Sequence, residues 1–350
     1  MPAPWFDVPR WRLRNQRLVG APLPTPAEVV GWFGAIQAQE YAGAKWAVAQ
    51  RTRGMVEGDV EDAVRDGAIV RTHALRQTWH FVLPCDVRWI LALTAPRTKQ
   101  TMAYYDRQFG LDSRTVRRSH DAITRALSGG QPLTRDELSA ALARVKIDAK
   151  GQRLGRLVMH AELDALICSG PRRGKQFTYA LLDERCPPTA PIARNEALGK
   201  LAGRYFASHG PALLADFAWW SGLSMADARR ALAVAEPGLS SRSHNDQTYW
   251  FAEPVAAPRR EPHVRLLPRF DEYLVAYRRR EDVVDPAMGK RQSIDLLASP
   301  VVVRDGKVIG SWRRDKPAMT TTLAATLTGP EQRSLDAAIK RFIGYLADPP

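Results

Sequence analysis

The run Thr25-Pro26-Ala27-Glu28-Val29-Val30-Gly31-Trp32-Phe33-Gly34-Ala35-Ile36-Gln37-Ala38-Gln39-Glu40 decides how this chain is read. Its first four residues form a capping box with proline at the first helical position, so a helix starts there. Val29, Val30, Trp32, Phe33 and Ile36 carry that helix toward Gln37 as an apolar run. The run then ends in two glutamines that flank one alanine. A glutamine amide has one acceptor and two donors, and burying it unpaired costs free energy. A core helix has no use for two of them, whereas a site that grips a water and a polar ligand does. On a continuous helix, positions i and i+2 point about 200° apart. If the chain leaves the helix here, both amides can face one cavity. The alternative is that one amide caps carbonyls and the other is solvated.

Working outward, the same order of elements recurs. After the first helix, a second is expected around Asp59 to Asp66, then extended runs over Ala68–His73 and Gln77–Leu83. Thr134-Arg135-Asp136-Glu137 is another capping box and opens a helix over Leu138–Val145. A basic amphipathic helix follows from Arg153 to Ile167, then a turn at Gly170–Lys175 and a strand at Phe177–Leu181. A third segment has a helix over Ala212–Trp220, a turn at Ser221-Gly222-Leu223, a helix capped by Ser224, and a strand at Gln247–Phe251. Helix, turn, helix and β-hairpin is the winged-helix plan. The Pro-rich stretch Pro254–Pro262 reads as a linker. Beyond it lie a hairpin over Val301–Ile309 with an Asp305-Gly306 turn of type I′, a strand at Thr320–Thr328, and a helix over Glu331–Ala347. The expected class is α+β. Three tandem winged helices (residues 1–110, 111–190 and 191–255) precede a small β-barrel-like domain at 256–350.

Composition bounds the function. The 350 residues carry 51 basic and 37 acidic side chains, a formal charge of +14. That favours a polyanionic partner and says nothing about fold. Arginine outnumbers lysine 41 to 10. Arginine makes forked contacts to phosphate, but GC-rich coding favours it too. Cys85, Cys168 and Cys186 lack the spacing of a zinc or iron–sulfur site, and the seven histidines lack an H-E-x-x-H pattern. No cofactor or metal is indicated. No run approaches 18 apolar residues, so a reduced, cytoplasmic protein without a membrane partner is expected.

Three further regions can carry chemistry. Arg71-Thr72-His73-Ala74-Leu75-Arg76-Gln77-Thr78-Trp79-His80 is dense in polar groups. On the second strand, Thr78 and His80 share one face, while Trp79 and Phe81 share the other. This suits a strand lining a site, or a half-exposed strand with solvated histidines. Arg153, Arg156 and His160 on the basic helix, with Arg172, Arg173 and Lys175 at its turn, could meet DNA phosphates. Arg229 and Arg230 offer the same in the third segment. Leu267-Pro268-Arg269-Phe270-Asp271-Glu272-Tyr273-Leu274 sets two carboxylates in an apolar run. Paired acids can do acid–base work, but ion pairs to Arg278–Arg280 would give them a structural role.

Together, Q-A-Q at Gln37–Gln39, T-H-x-x-R-x-T-W-H at Thr72–His80, F-D-E-Y at Phe270–Tyr273 and G-S-W-R-R at Gly310–Arg314 resemble the winged-helix DNA glycosylases of the AlkZ-like, azinomycin-resistance type. The resemblance spans roughly residues 10 to 345. It implies three tandem winged helices forming a concave DNA channel, with Gln37 and Gln39 as the motif glutamines. Glu40, Thr72, His73, Arg76, Thr78, His80 and Asp271 would lie near them. The implied activity is monofunctional hydrolysis of the N-glycosidic bond of N7-alkylguanine in double-stranded DNA. Bulky adducts and crosslinks are included, no obligate protein partner is implied, and the product is an abasic site. An amide is no general base at neutral pH, but the cationic N7-alkylated base is already a good leaving group. The protein then needs only to position a water and stabilise the transition state. The alternative is a winged-helix regulator or lesion sensor without chemistry.

Overall fold

The computed structural model describes residues 6–252, 262–288, 297, 299–315 and 318–347. A short helix α1 (Val8–Asn15) leads into α2 (Pro26–Phe33), which Thr25 caps by accepting from the Glu28 N–H at 3.1 Å. Helix α2 stops short of the expected Gln37. Gly34 adopts φ 82°, a conformation that ends a helix and suits glycine. The chain then runs extended as β1 (Ile36–Gln37), and Glu40 caps a helix absent from the sequence reading, α3 (Tyr41–Ala49). Next come α4 (Glu57–Arg65), β2 (Val70–Ala74) and β3 (Thr78–Val82), with sheet order β1-β3-β2. Thus the first unit runs helix, strand, helix, helix, hairpin.

A 25-residue helix, α5 (Pro84–Gln108), carries the chain to the second unit. That unit repeats the order: α6 (Ser113–Leu127), β4 (Leu133–Thr134), α7 (Arg135–Arg144), α8 (Gly151–Leu163), β5 (Ile167–Ser169) and β6 (Thr178–Leu181). Its sheet order, β4-β6-β5, is that of the first. The two T-x-x-E boxes are therefore not equivalent. Thr25 caps the first helix of its unit, and Thr134 caps the second helix of the next.

A one-turn helix α9 (Leu182–Arg185) precedes the third unit. It comprises α10 (Arg194–His209), α11 (Leu214–Ser221), α12 (Met225–Ala235), β7 (Ser240–His244) and β8 (Gln247–Phe251). A single bridge between Ala212 and Trp250 occupies the place of the short first strand. Three long helices, α5, α6 and α10, escaped the sequence reading. Their N-termini lack the T-x-x-E signal.

The expected linker, Pro254–Pro262, falls almost wholly outside the described residues. After it come β9 (Val264–Leu267), a single-turn helix α13 (Glu272–Val275), β10 (Val301–Arg304), β11 (Lys307–Asp315), β12 (Ala318–Leu323) and α14 (Gly329–Tyr345). Among the described residues the strands form an open antiparallel sheet, β12-β11-β10-β9, and not the expected closed barrel. Asp305 and Gly306 both have positive φ (47° and 88°), as a type I′ turn demands. The last strand ends at Leu323, five residues before the predicted Thr328.

Among the described residues, four hydrophobic clusters hold the chain together. The second unit keeps its own, around Ile123, Leu138, Leu157 and Tyr179. The first unit has no such independence. Its helices pack against the C-terminal sheet and α14 through Val30, Trp46, Leu266, Trp312 and Phe342. Its hairpin joins α5, α10 and α11 through Val70, Leu75, Ile90, Phe206 and Trp220. Residues far apart in sequence therefore meet around β1. No helix among the described residues is long and apolar enough to cross a membrane.

Candidate active site

Gln37 sits on β1 opposite His80 of β3, and His80 sits opposite Thr72 of β2. One face of the small sheet thus carries Gln37, His80, Thr72 and Thr78. This face is buried, not solvated: His80 and Thr72 have no exposed surface. Gln37 is 8% exposed, and Gln39, two residues on, is exposed. Leaving the helix at Gly34 places Gln37 on strand β1 and Gln39 on the bend that follows it. The Gln39 carbonyl accepts from the Trp79 N–H at 3.4 Å.

Two charged groups from distant parts of the chain hold Gln37. Its backbone N–H donates to Glu272 Oε1 at 2.6 Å, and its side-chain carbonyl accepts from Arg76 Nη2 at 2.9 Å. That bond takes one of the two lone pairs of the carbonyl, so the second lone pair and the amide NH2 are its remaining hydrogen-bonding capacity. The other branch of Arg76 donates to the carbonyls of Trp219 and Trp220 at 3.0 and 2.9 Å, at the end of α11. Glu272 is buried and also accepts from Trp220 Nε1 at 3.0 Å and His209 Nε2 at 3.3 Å. Burial pushes its carboxyl up, but the bonds from His209 and the Gln37 N–H outweigh that, and the pKa lies below the ordinary value. Burial pushes His209 down, so a neutral imidazole donating from Nε2 fits the pair. Burial likewise lowers Arg76.

His80 is held neutral. Burial, with the nearby Arg76 charge, lowers its pKa to about 3. Its Nδ1 lies 2.9 Å from the Thr78 carbonyl, so Nδ1 carries the proton and Nε2 is a bare acceptor. His80 Nε2, Thr72 Oγ1 and Thr78 Oγ1 are buried without partners among the described residues. Most buried polar atoms are paired, so these three orphans leave the Gln37 face with unused hydrogen-bonding capacity.

The opposite face of the sheet faces the second unit. His73 stacks on Trp79, ring centroids 4.2 Å apart, and its Nδ1 bonds the buried Glu162 of α8. Arg71 lies 4.3 Å over the Trp79 ring and 4.8 Å from Phe177, and donates to the Ala38 carbonyl at 3.0 Å. Trp79 and Phe81 therefore share their face with Arg71 and His73, not with apolar core alone.

The adjacent carboxylates part company. Asp271 N-caps α13 and makes a two-pronged buried pair with Arg51, at 2.7 and 2.9 Å. Arg51, not Arg278–Arg280, is its partner. The carboxylate that reaches Gln37 is Glu272, which the sequence reading paired with Asp271 but left out of the site. Glu40 is engaged as the α3 cap, accepting from Ala42 and Gly43 at 3.2 and 2.7 Å. Its position just after Q-A-Q suited a cap as well as a catalytic role.

The expected DNA-contacting cations divide into two groups. On α8, Arg156 and His160 both bond Asp106 at 3.0 Å, and Arg153 bonds the Asp148 and Phe109 carbonyls. That stripe fastens α8 to the end of α5. Arg172 is half-buried between Glu61 and the ring of Tyr41. By contrast, Arg173 is 52% exposed despite its bond to Glu137, and Lys175, Arg229 and Arg230 are exposed. Among the described residues no group of three or more His, Cys, Asp or Glu is arranged to hold a metal ion.

The model of a family described as "DNA glycosylase AlkZ-like" matches residues 30–345. A relative from Streptomyces sahachiroi, described as an interstrand DNA cross-link repair glycosylase, is 28% identical over 339 residues, covering 89% of this chain and 88% of its own. Among solved structures, the Streptomyces sahachiroi DNA glycosylase AlkZ superposes with a TM-score of 0.82 at 23% identity. That match covers 99% of this chain and 97% of the other.

Proposed function

Since the chain belongs to the AlkZ-like DNA glycosylase family, we propose that this DNA glycosylase hydrolyses the N-glycosidic bond of N7-alkylguanine in duplex DNA and leaves an abasic site. Bulky adducts and interstrand crosslinks fall within its range, as the name of the Streptomyces sahachiroi relative suggests. The observation that carries this reading is the clamp on Gln37, between the buried Glu272 carboxylate and the Arg76 guanidinium.

An N7-alkylated base leaves as a neutral purine, so positive charge develops on the sugar. Gln39, exposed and adjacent, orients the attacking water through its carbonyl, and Gln37 contacts the sugar or fixes Gln39. Glu272 acts through Gln37 as a positioning residue, and its negative charge favours the oxocarbenium-like transition state. A unit charge ~8 Å from a developing cation, at an effective dielectric of ~20, stabilises it by about 2 kcal/mol. Neutral His80 adds an acceptor without adding positive charge beside that cation.

The matching element orders of the three units support reading them as tandem winged helices (1–110, 111–190, 191–255) along one DNA channel. Arg173, Lys175, Arg229 and Arg230 are the exposed cations for its phosphates. The test is base release from duplex DNA carrying N7-methylguanine, scored as alkali-labile strand breaks over a no-protein control. Breaks that vanish in Gln39→Ala, with DNA affinity retained, are expected. Wild-type release rates in both Gln37→Ala and Gln39→Ala would overturn the site.

A further inference from the structure

Trp219 and Trp220 are neighbours with opposite fates. Trp220 is fully buried and holds Glu272, whereas Trp219 keeps 46% of its surface exposed. Exposed tryptophan is usually free to turn, but this ring is tethered at its Nε1, and the backbone that carries it is held as well. Its Nε1 donates to the Val275 carbonyl at 3.1 Å, and its own carbonyl accepts from Arg76. The Arg76 guanidinium also lies 5.8 Å from the ring centre. Arg76 is the same residue that grips the Gln37 side chain, so a single guanidinium separates the exposed ring from the glutamine.

The ring lines a groove of about 410 Å³ shared with Leu75, Arg76, Arg97, Thr98 and Leu223. The first hairpin and α5 form one wall, and α11 with the following turn forms the other. A preorganised indole beside two arginines is a stacking platform for electron-rich planar rings. Such stacking on an aromatic side chain tolerates many ring identities, because every ring offers a π-face.

We propose that this groove is a subsite for a planar aromatic substituent carried by the alkylated base, with Trp219 as the stacking residue that sets preference among adducts. The proposal rests on the glycosylase reading above. A methyl group at N7 would leave the subsite unused, whereas an aromatic substituent would reach the indole.

The test compares N7-benzylguanine with N7-methylguanine in the same duplex, under single-turnover conditions, for wild type, Trp219→Ala and Trp219→Phe. Trp219→Ala is expected to slow benzylguanine release roughly tenfold and methylguanine release less than about twofold, while Trp219→Phe keeps most of the benzyl preference. The methyl substrate thus controls for folding. Equal loss on both substrates would overturn the proposal and mark Trp219 as packing or as a contact to DNA itself; no loss on either would also overturn it. Binding of the two duplexes by fluorescence anisotropy is measured in parallel. If wild type releases neither base, the glycosylase reading of these substrates falls, and binding still decides this one. A benzyl preference that Trp219→Ala abolishes supports the subsite, and its absence in wild type overturns it.

Discussion

The hairpins of the first and second units are built alike and used differently. In the second, the turn at Gly174 and Lys175 is exposed, and its cations sit at the surface. In the first, the tip is docked. Leu75 is buried with φ 57°, and Gly222 (φ 69°) lies so close that a Cβ there would meet the Leu75 carbonyl oxygen at 2.4 Å. Docking turns Arg76 back from the tip onto Gln37. The second hairpin belongs to a unit with its own core, while the first belongs to a unit whose core is shared on both sides. The lesson is that one motif leaves its tip at the surface when its unit is autonomous, and clamps a buried side chain when its unit is wedged between others.

Several substitutions break or sharpen that contrast. The largest effect is expected from Gln39→Ala, which should slow base release about 100-fold or more, as removal of a preorganised polar group does elsewhere. Gel-shift affinity for the same duplex should stay within a few-fold. Glu272→Gln keeps the shape and removes the charge. Release should fall roughly 30-fold, in the rate at saturation more than in the concentration giving half that rate. An unchanged rate would show that the docked region only scaffolds.

Gly222→Ala attacks the docking itself. It meets the Leu75 backbone and forces alanine into positive φ, so a loss of about 2–3 kcal/mol is expected. Thermal melting should show it, together with slower release. The corresponding change at the second tip, Gly174→Ala, has open space around it and should cost only about 1 kcal/mol for its φ of 61°. Equal losses would erase the contrast between the two tips.

Acid should also act on the docked region first. His80 and His209 have folded pKa values below the 6.5 of an unfolded histidine, through burial. The unfolded chain therefore takes up the extra protons as pH falls. Stability is complete above pH 6.5 and is lost below it, toward about 3 for His80, by up to about 1.4 kcal/mol per pH unit per histidine. Melting temperatures between pH 7.5 and 5.5 check this, and His80→Gln should flatten the curve. The smallest effect belongs to the exposed tip. Arg173→Ala with Lys175→Ala should lower the salt slope of DNA binding by roughly one unit per true phosphate contact and leave saturated release unchanged.

Much of this was legible in the sequence, and the gaps have physical causes. Thr25, Thr134 and Ser224 mark helix starts because their side chains bond N–H groups within the same turn, so the signal is local. The Asp305-Gly306 turn is local for the same reason. The Q-A-Q triplet stood out because two amides in an apolar run need a use. What stayed hidden depends on partners far along the chain. Asp271 and Glu272 are adjacent and chemically alike. Only tertiary contacts, with Arg51 for one and with Gln37, His209 and Trp220 for the other, tell them apart. In the same way, Arg156 and His160 of α8 read from sequence as unpaired cations, and only the tertiary structure shows Asp106 bonded to both. The barrel expectation rested on three strands; it missed β9 and could not see that β9 and β12 remain apart as edges.

The bond between the Gln37 N–H and Glu272 spans 235 residues of chain, which matters during synthesis. At synthesis rates of about 5–20 residues per second, the ribosome needs roughly 10–50 s to reach the carboxylate after making the glutamine. The second unit, with a core of its own, can fold as it emerges during that interval. The first unit waits, its hairpin tip and the underside of its helices uncovered until α11 and the C-terminal sheet arrive. A nascent or truncated chain therefore carries a folded second unit before Gln37 has the carboxylate that holds it.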